Sequence, residues 1–200
     1  MIINNLFSTP VAGFELGRDL SEVERKCLLN LEIRQNQGND ISVDNYILNK
    51  PELHFLTEFL NNSLQTYFNA IYAPKYDANL CITQSWVNYT KPGQFHHKHA
   101  HPNSFVSGVF YIQASKETDK LHFFKENYQQ VKITSKDFNL YNSQSWWLAA
   151  TTGVLYLFPS SLMHMVEQVT GEDTRISLSF NTFPKGIIGE EEGLTGLELG

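Results

Sequence analysis

"SWVNYTKPGQFHHKHAHPNSFVSGVFYI", residues 85–112, contains two runs rich in Val, Ile, Tyr, Phe and Trp, set apart by the turn formers "KPGQ" and "HPNS". Short β-favouring runs bounded by Pro, Gly, Asn and Ser clusters read as strand, turn, strand. The same punctuation recurs at "TTG" (151–153) and "TGED" (170–173), so from about residue 80 the chain reads as six to eight strands. Helices first and strands afterwards imply a mainly β, α+β chain: an antiparallel double sheet, jelly-roll or barrel, with helices packed on the outer face of one sheet.

The helices come from the first third. In "DLSEVERKCLLNLEIRQ" (19–35) Ser21 and Glu24 stand three apart, the capping-box spacing in which hydroxyl and carboxylate satisfy each other's free backbone donors. In "NKPELHFLTEFLNNSLQTYFNAIY" (49–72) Pro51 suits a first turn, and Leu53, Leu56, Leu60, Leu64, Tyr67, Phe68 and Ile71 form one apolar stripe. The expected organisation is one domain over 1–200, with helical support in 1–75, a sheet core in 80–184 and a loosely packed Gly-rich acidic tail in 185–200.

With 200 residues, 42% of them hydrophobic and 18% charged, the chain can bury a substantial core. A net charge of -6 and the absence of a Lys/Arg run argue against nucleic acid or an anionic membrane as partner and favour a small molecule. Cys27 and Cys81 form neither a CxxC nor a zinc-ribbon spacing, which fits a reducing compartment. The N-terminus lacks a secretory signal pattern, and no stretch reaches the roughly 18 apolar residues of a membrane span, so the expected location is the cytosol.

Four of the seven histidines fall within residues 96–101. On an extended strand His97, His99 and His101 would share one face and His96 and Lys98 the other. An H-x-H pair can close on one metal, and imidazole suits iron, copper, nickel and zinc. Alone, the tract reads equally well as a solvated or hydrogen-bonded loop. His164, in "GVLYLFPSSLMHMVEQV" (153–169), is the best candidate for a third ligand. Eleven residues later "RISLSFN" (175–181) alternates Arg175, Ser177, Ser179 and Asn181 with Ile176, Leu178 and Phe180. Such a strand taken by itself reads as half-buried with its polar side in water. The other reading puts Arg175 inside a cavity, gripping a carboxylate bidentately with a neighbouring hydroxyl.

The run 85–112, followed by "GVLYLFPSSLMHMV" and "RISLSFN", resembles the iron(II)- and 2-oxoglutarate-dependent oxygenases. It is most similar to a branch frequent in phages and marine bacteria that carries an H-x-H-P-x-S…SGV-Y block and an FPS-x-x-x-H block. The resemblance covers roughly residues 80–184, and weakly "LFSTPV" (6–11). It implies a double-stranded β-helix, a cupin-like jelly-roll, in which His99 and His164 ligate iron and His101 stands where most of the superfamily has Asp or Glu. Arg175 and Ser177 match the R-x-S pair that holds the 5-carboxylate of 2-oxoglutarate. Tyr111 matches a strand tyrosine that supports the same carboxylate, and Tyr89 a tyrosine lining the cosubstrate pocket. His97 reads as cavity-lining or supporting, His96 and Lys98 as solvated, Asn103 and Ser104 as turn formers, Trp86 as core, and His54 and His122 as structural. Trp146 and Trp147 stand side by side, which on a strand puts one inside and one outside.

The resemblance further implies Fe(II), O2 and 2-oxoglutarate as cofactors and cosubstrates, and C–H hydroxylation coupled to decarboxylation of 2-oxoglutarate to succinate. A third imidazole in place of the carboxylate leaves the site one charge more positive. It does not point to halogenation, because a ligand fills the place a halide would take. Family members act on peptide side chains, nucleobases, lipids and small metabolites, and the motifs do not select among these. A phage origin would mean the host cytoplasm, and a homodimer is compatible with the helical face. Two rivals share the architecture: a cupin-type three-histidine metalloenzyme without 2-oxoglutarate, and a non-catalytic jelly-roll binding protein.

Overall fold

The fold follows from strands that alternate their side chains between two different cores. A computed structural model describes residues 1–126, 131 and 133–200. The first part contains strand β1 (Ala12–Glu15), helix α1 (Glu22–Leu29), strands β2 (Ile33–Gln35) and β3 (Asp40–Ser42), and helix α2 (His54–Tyr72). Strands β4 (Ala78–Thr90), β5 (His96–His99), β6 (Val106–Gln113) and β7 (Lys120–Phe124) follow. The remainder holds β8 (Ser145–Ala149), β9 (Val154–Pro159), β10 (His164–Val166), β11 (Arg175–Ile188) and β12 (Leu197–Leu199).

The larger sheet runs β1-β9-β6-β11-β4-β3-β2, with β12 added to β11; the smaller runs β5-β10-β7-β8. Every described pairing between these strands is antiparallel. This is the jelly-roll expected from the strand pattern, and the two sheets face each other across a core of Val109, Tyr111, Leu121, Phe123, Phe158 and Val166. The opposite face of the larger sheet buries Val87, Phe110, Ile112, Leu155, Leu157, Ile176, Leu178 and Phe180 against the helices.

Both helices form as their sequences dictate. The Ser21 side chain accepts from the Glu24 amide and the Glu24 carboxylate accepts from the Ser21 amide, completing the capping box of α1. Pro51 opens a 3-10 turn, Pro51–Leu53, that leads into α2. The stripe Leu56, Leu60, Leu64, Tyr67 and Phe68 is buried against the sheet, and the helix stops at Ala73 in the left-handed region (φ 43°).

Two parts of the chain differ from their sequence reading. The first third also contributes strands: β1 pairs with β9, and β2 and β3 extend the sheet beyond β4. These strands are three or four residues long, too short to display a period of two. The Gly-rich end is not loose throughout, because β11 runs to Ile188 and residues 197–199 fold back on it as β12. Gly189, at φ 73°, makes that reversal; a Cβ there would lie 2.1 Å from the Thr195 carbonyl oxygen. The same glycine content that suggests slackness supplies the turn. Among the described residues no helix is long and apolar enough to cross a membrane.

Gly108 marks the tightest approach in the helix-side core. It lies opposite Phe180, whose fully buried ring crosses the position a Cβ would take, 2.2 Å away. Gly108→Ala is therefore expected to destabilise the fold by about 1–3 kcal/mol through overpacking. Urea unfolding checks this: the midpoint falls while the slope is unchanged.

Candidate metal centre and carboxylate anchor

Register decides which side chains enter the space between the sheets. Ser177 of β11 lies opposite Asn88 of β4 and Tyr111 of β6; Ser179 lies opposite Trp86 and Val109; Asn181 lies opposite Gln84 and Ser107. Directly paired residues share a face, so Arg175, Ser177, Ser179 and Asn181 line the inner wall together with Tyr111. All but Asn181 are buried. The solvated reading of this strand face is thereby corrected, because the smaller sheet covers it.

His99 ends β5 and lies opposite His164 at the start of β10, while His101 follows β5 in the turn. His99, His101 and His164 each present one ring nitrogen within 4.8 Å of the others. Their tautomers are set by their surroundings. His99 Nδ1 donates to the His97 carbonyl oxygen (2.7 Å) and His164 Nδ1 to the Leu162 carbonyl oxygen (2.9 Å). His101 Nδ1 donates to Asn181 Oδ1 (2.7 Å), with Ser107 Oγ 2.8 Å from the same nitrogen. With Nδ1 carrying the proton, Nε2 of each ring is a bare lone pair. His99 Nε2 and His101 Nε2 lie 3.0 Å apart. Two acceptors that close repel unless a cation lies between them. A divalent cation held by both nitrogens would remove that repulsion. The donor set therefore fits a divalent metal held by three neutral imidazoles.

Burial keeps these rings neutral. It is the largest influence on His164, held down to about 3, and on His101, held down to about 4, with His99 the next contributor in both cases. His99 is also lowered, chiefly by burial. Phe158 stands 4.8 Å from the His164 ring and Phe123 6.4 Å, an apolar wall beside that imidazole.

Arg175, 3% exposed, spends Nη1 on Asp119 Oδ1 (2.9 Å) and on the Glu167 carbonyl oxygen (3.1 Å). Its Nη2 is buried and has no hydrogen-bond partner among the described residues, and the same holds for the Tyr111 hydroxyl. Burial raises the Tyr111 phenol, with the Arg175 charge acting against that rise. Two orphaned buried donors on one wall are the chemical complement of a carboxylate.

Tyr89 does not join this set. It lies opposite Ile176, so it faces the helices, and its hydroxyl donates to the Leu28 carbonyl oxygen. Its place in a cosubstrate pocket is thus corrected by strand alternation. His96 is corrected in the other direction. Between their paired positions β10 advances two residues and β5 three, a bulge that turns His96 inward with Val166. Its ring stacks on His99 at 4.6 Å, and burial, followed by His99, pushes it well below the usual histidine range. Lys98 is exposed and pairs with Glu126 at 2.6 Å. His97 supports the site through its carbonyl, while its ring nitrogen reaches Gln37.

Trp86 is only partly buried and stands 5.8 Å from the His101 ring, beside the site and not in the core. Trp146 shares the inner face with Phe123 and Trp147 the outer face with His122. Asn103 takes the left-handed conformation of a turn (φ 56°). The role of Asn181 was within reach of the sequence, since it shares a face with Arg175; that of Asp119, inside the polar turn "SKETDK", carried no signal.

The comparisons with known proteins agree with this geometry. A family model described as "Putative 2OG-Fe(II) oxygenase" matches residues 84–181. Among solved structures, the chain is similar to a 2OG-Fe(II) oxygenase family oxidoreductase from Burkholderia pseudomallei: TM-score 0.60, 13% identity, 86% of this chain and 83% of that one. It is similar to HygX from Streptomyces hygroscopicus, solved with nickel, 2-oxoglutarate and hygromycin B: TM-score 0.62, 13% identity, 87% and 82%. A Pseudomonas putida prolyl-4-hydroxylase gives TM-score 0.54, 13% identity, 87% and 93%. At such identities the likeness concerns the fold. No curated protein matches the sequence. Residues 84–181, which hold the three convergent histidines, Arg175 and Tyr111, are the part of the chain that matches the 2OG-Fe(II) oxygenase family model.

Proposed function

We propose that this chain is an Fe(II)- and 2-oxoglutarate-dependent dioxygenase that hydroxylates a C–H bond, and that residues 1–200 act as one such domain with the helices as its support. One observation carries the reading: three bare imidazole nitrogens converge on the same inner face that bears an unpartnered guanidinium nitrogen and an unpartnered phenol. His99, His101 and His164 would hold the iron. Arg175 Nη2 and the Tyr111 hydroxyl would hold the distal carboxylate of 2-oxoglutarate, with Ser177 directly opposite Tyr111 and two residues along β11 from Arg175.

Bound iron supplies the redox chemistry by which O2 and 2-oxoglutarate give succinate, carbon dioxide and a hydroxylated substrate. The protein binds, orients and excludes water. The three Nδ1–H donors fix the rings so that Nε2 of each stays available without proton release. Phe123 and Phe158 keep the region around His164 apolar. Trp86, 5.8 Å from the His101 ring, and the half-exposed Trp146, opposite Phe123, would be the aromatic contacts for a substrate.

The rival three-histidine enzyme without 2-oxoglutarate draws on the same ligands but leaves the two orphaned donors without a purpose. Anaerobic addition of Fe(II) and then 2-oxoglutarate separates them. The expected result is a weak visible charge-transfer band of the chelated cosubstrate, abolished in His99→Ala and in Arg175→Ala. Iron binding with no band would favour the rival, and no stoichiometric iron binding would favour a non-catalytic protein.

Asn181→Ala removes the acceptor that fixes the His101 tautomer. A metal affinity lower by about 10–100-fold is expected, as for loss of other groups that orient a ligating histidine. Competition with a chromophoric chelator measures it.

A further inference from the structure

Asp119 is a buried carboxylate, 5% exposed, that the reading above leaves without a role. It is held on all sides. Its amide donates to the Ser115 carbonyl oxygen (2.8 Å), its carbonyl oxygen accepts from the Ala150 amide (2.9 Å), and its Oδ2 accepts from the Ser115 amide (2.9 Å). Oδ1 then meets Arg175 Nη1 at 2.9 Å, and the Glu167 carbonyl oxygen takes the same nitrogen at 3.1 Å. Nη1 has two N–H groups, and both are thereby used. A guanidinium is planar, so fixing Nη1 by two acceptors fixes the plane and leaves Nη2 as the free edge.

We propose that Asp119 is the positioning residue of the cosubstrate anchor, holding Arg175 by Nη1 so that Nη2 and the Tyr111 hydroxyl are presented to the distal carboxylate of a 2-oxo diacid. The inference rests on the 2-oxoglutarate reading given above. It is independent of the metal ligands, since the β6–β7 turn that carries Asp119 contributes none of them. Without Asp119 the guanidinium keeps its charge but loses one of the two acceptors that fix its plane. Asn at the same position can keep an oxygen acceptor at the place of Oδ1, giving up the charge and the acceptor for the Ser115 amide.

The test uses the full chain loaded anaerobically with Fe(II), and two probes: 2-oxoglutarate, and 2-oxopentanoate, which has the same carbon chain ending in a methyl group. Calorimetry gives a dissociation constant for each. The wild type is expected to bind 2-oxoglutarate much more tightly than 2-oxopentanoate. In Asp119→Ala the affinity for 2-oxoglutarate is expected to fall by about tenfold or more while that for 2-oxopentanoate stays within about threefold, because only the first probe uses the anchor. Asp119→Asn is expected to keep 2-oxoglutarate within about threefold of wild type. Should the alanine variant fail to fold, Asp119→Ser keeps a polar group near the Ser115 amide and still loses the atom that meets Arg175. Equal losses for both probes would reduce Asp119 to a structural residue, and no loss for either would remove the role altogether. An alanine variant that binds 2-oxoglutarate as tightly as the asparagine one would overturn positioning as the cause. An iron-loaded wild type that does not prefer 2-oxoglutarate would sink the cosubstrate reading itself, and this inference with it.

Discussion

The two-residue period of β11 is the constraint on which the rest of the structure depends. Ile176, Leu178 and Phe180 point toward the helices and are at most 5% exposed; Arg175, Ser177, Ser179 and Asn181 point between the sheets. One backbone therefore fixes two things at once. Its apolar half locks the larger sheet onto α2, with Phe180 seated over Gly108, and its polar half aims the anchor and the His101 partner at one space. A slip of one residue would exchange the halves and lose both. β4 obeys the same rule from the other side, which is why Val87 and Tyr89 belong to the helix-side core and Trp86 and Asn88 to the inner wall.

Alternation alone does not make a metal centre. The rings converge because three different elements end beside one another: β5, the turn after it and the start of β10. Each ring is then tied by Nδ1 to an oxygen, two of them backbone carbonyls two residues away in the chain. Those bonds decide the tautomer before any ion arrives, so nothing has to be rearranged on binding. His96 shows what the bulge adds. The extra residue on β5 brings a fourth imidazole to the inner face, stacked on His99.

Much of this was legible in the sequence, and the failures have specific causes. The helices were visible from the Ser21–Glu24 spacing and the Leu56–Phe68 stripe, because caps and 3.6-residue periods are local. The convergence of His99, His101 and His164 was legible only through several blocks in order, since sheet pairing across 65 residues has no local signature. Tyr89 was misplaced because a tyrosine on a strand reads alike on either face until register is known. His96 was misplaced because a bulge breaks the period by which it was assigned. Asp119 was invisible, for an acidic residue in a polar turn is ordinarily solvated, and only the packing of β11 against that turn buries it.

The carboxylate missing from the ligand set and the carboxylate buried beside Arg175 belong to one argument about charge. In the proposed site a divalent ion among three neutral imidazoles keeps both its charges, where an aspartate at position 101 would have cancelled one. Arg175 would add a third, and a low-dielectric interior tolerates unbalanced charge poorly. Asp119 pairs with Arg175, so the dianion of 2-oxoglutarate would meet two net positive charges and the filled site would be neutral. A site with a carboxylate ligand and an unpaired arginine reaches the same balance by a different route. In the proposed site the negative charge would thus sit at the far end of the cosubstrate and not on the metal, where it would fix the geometry of the anchor and leave the metal with neutral ligands only.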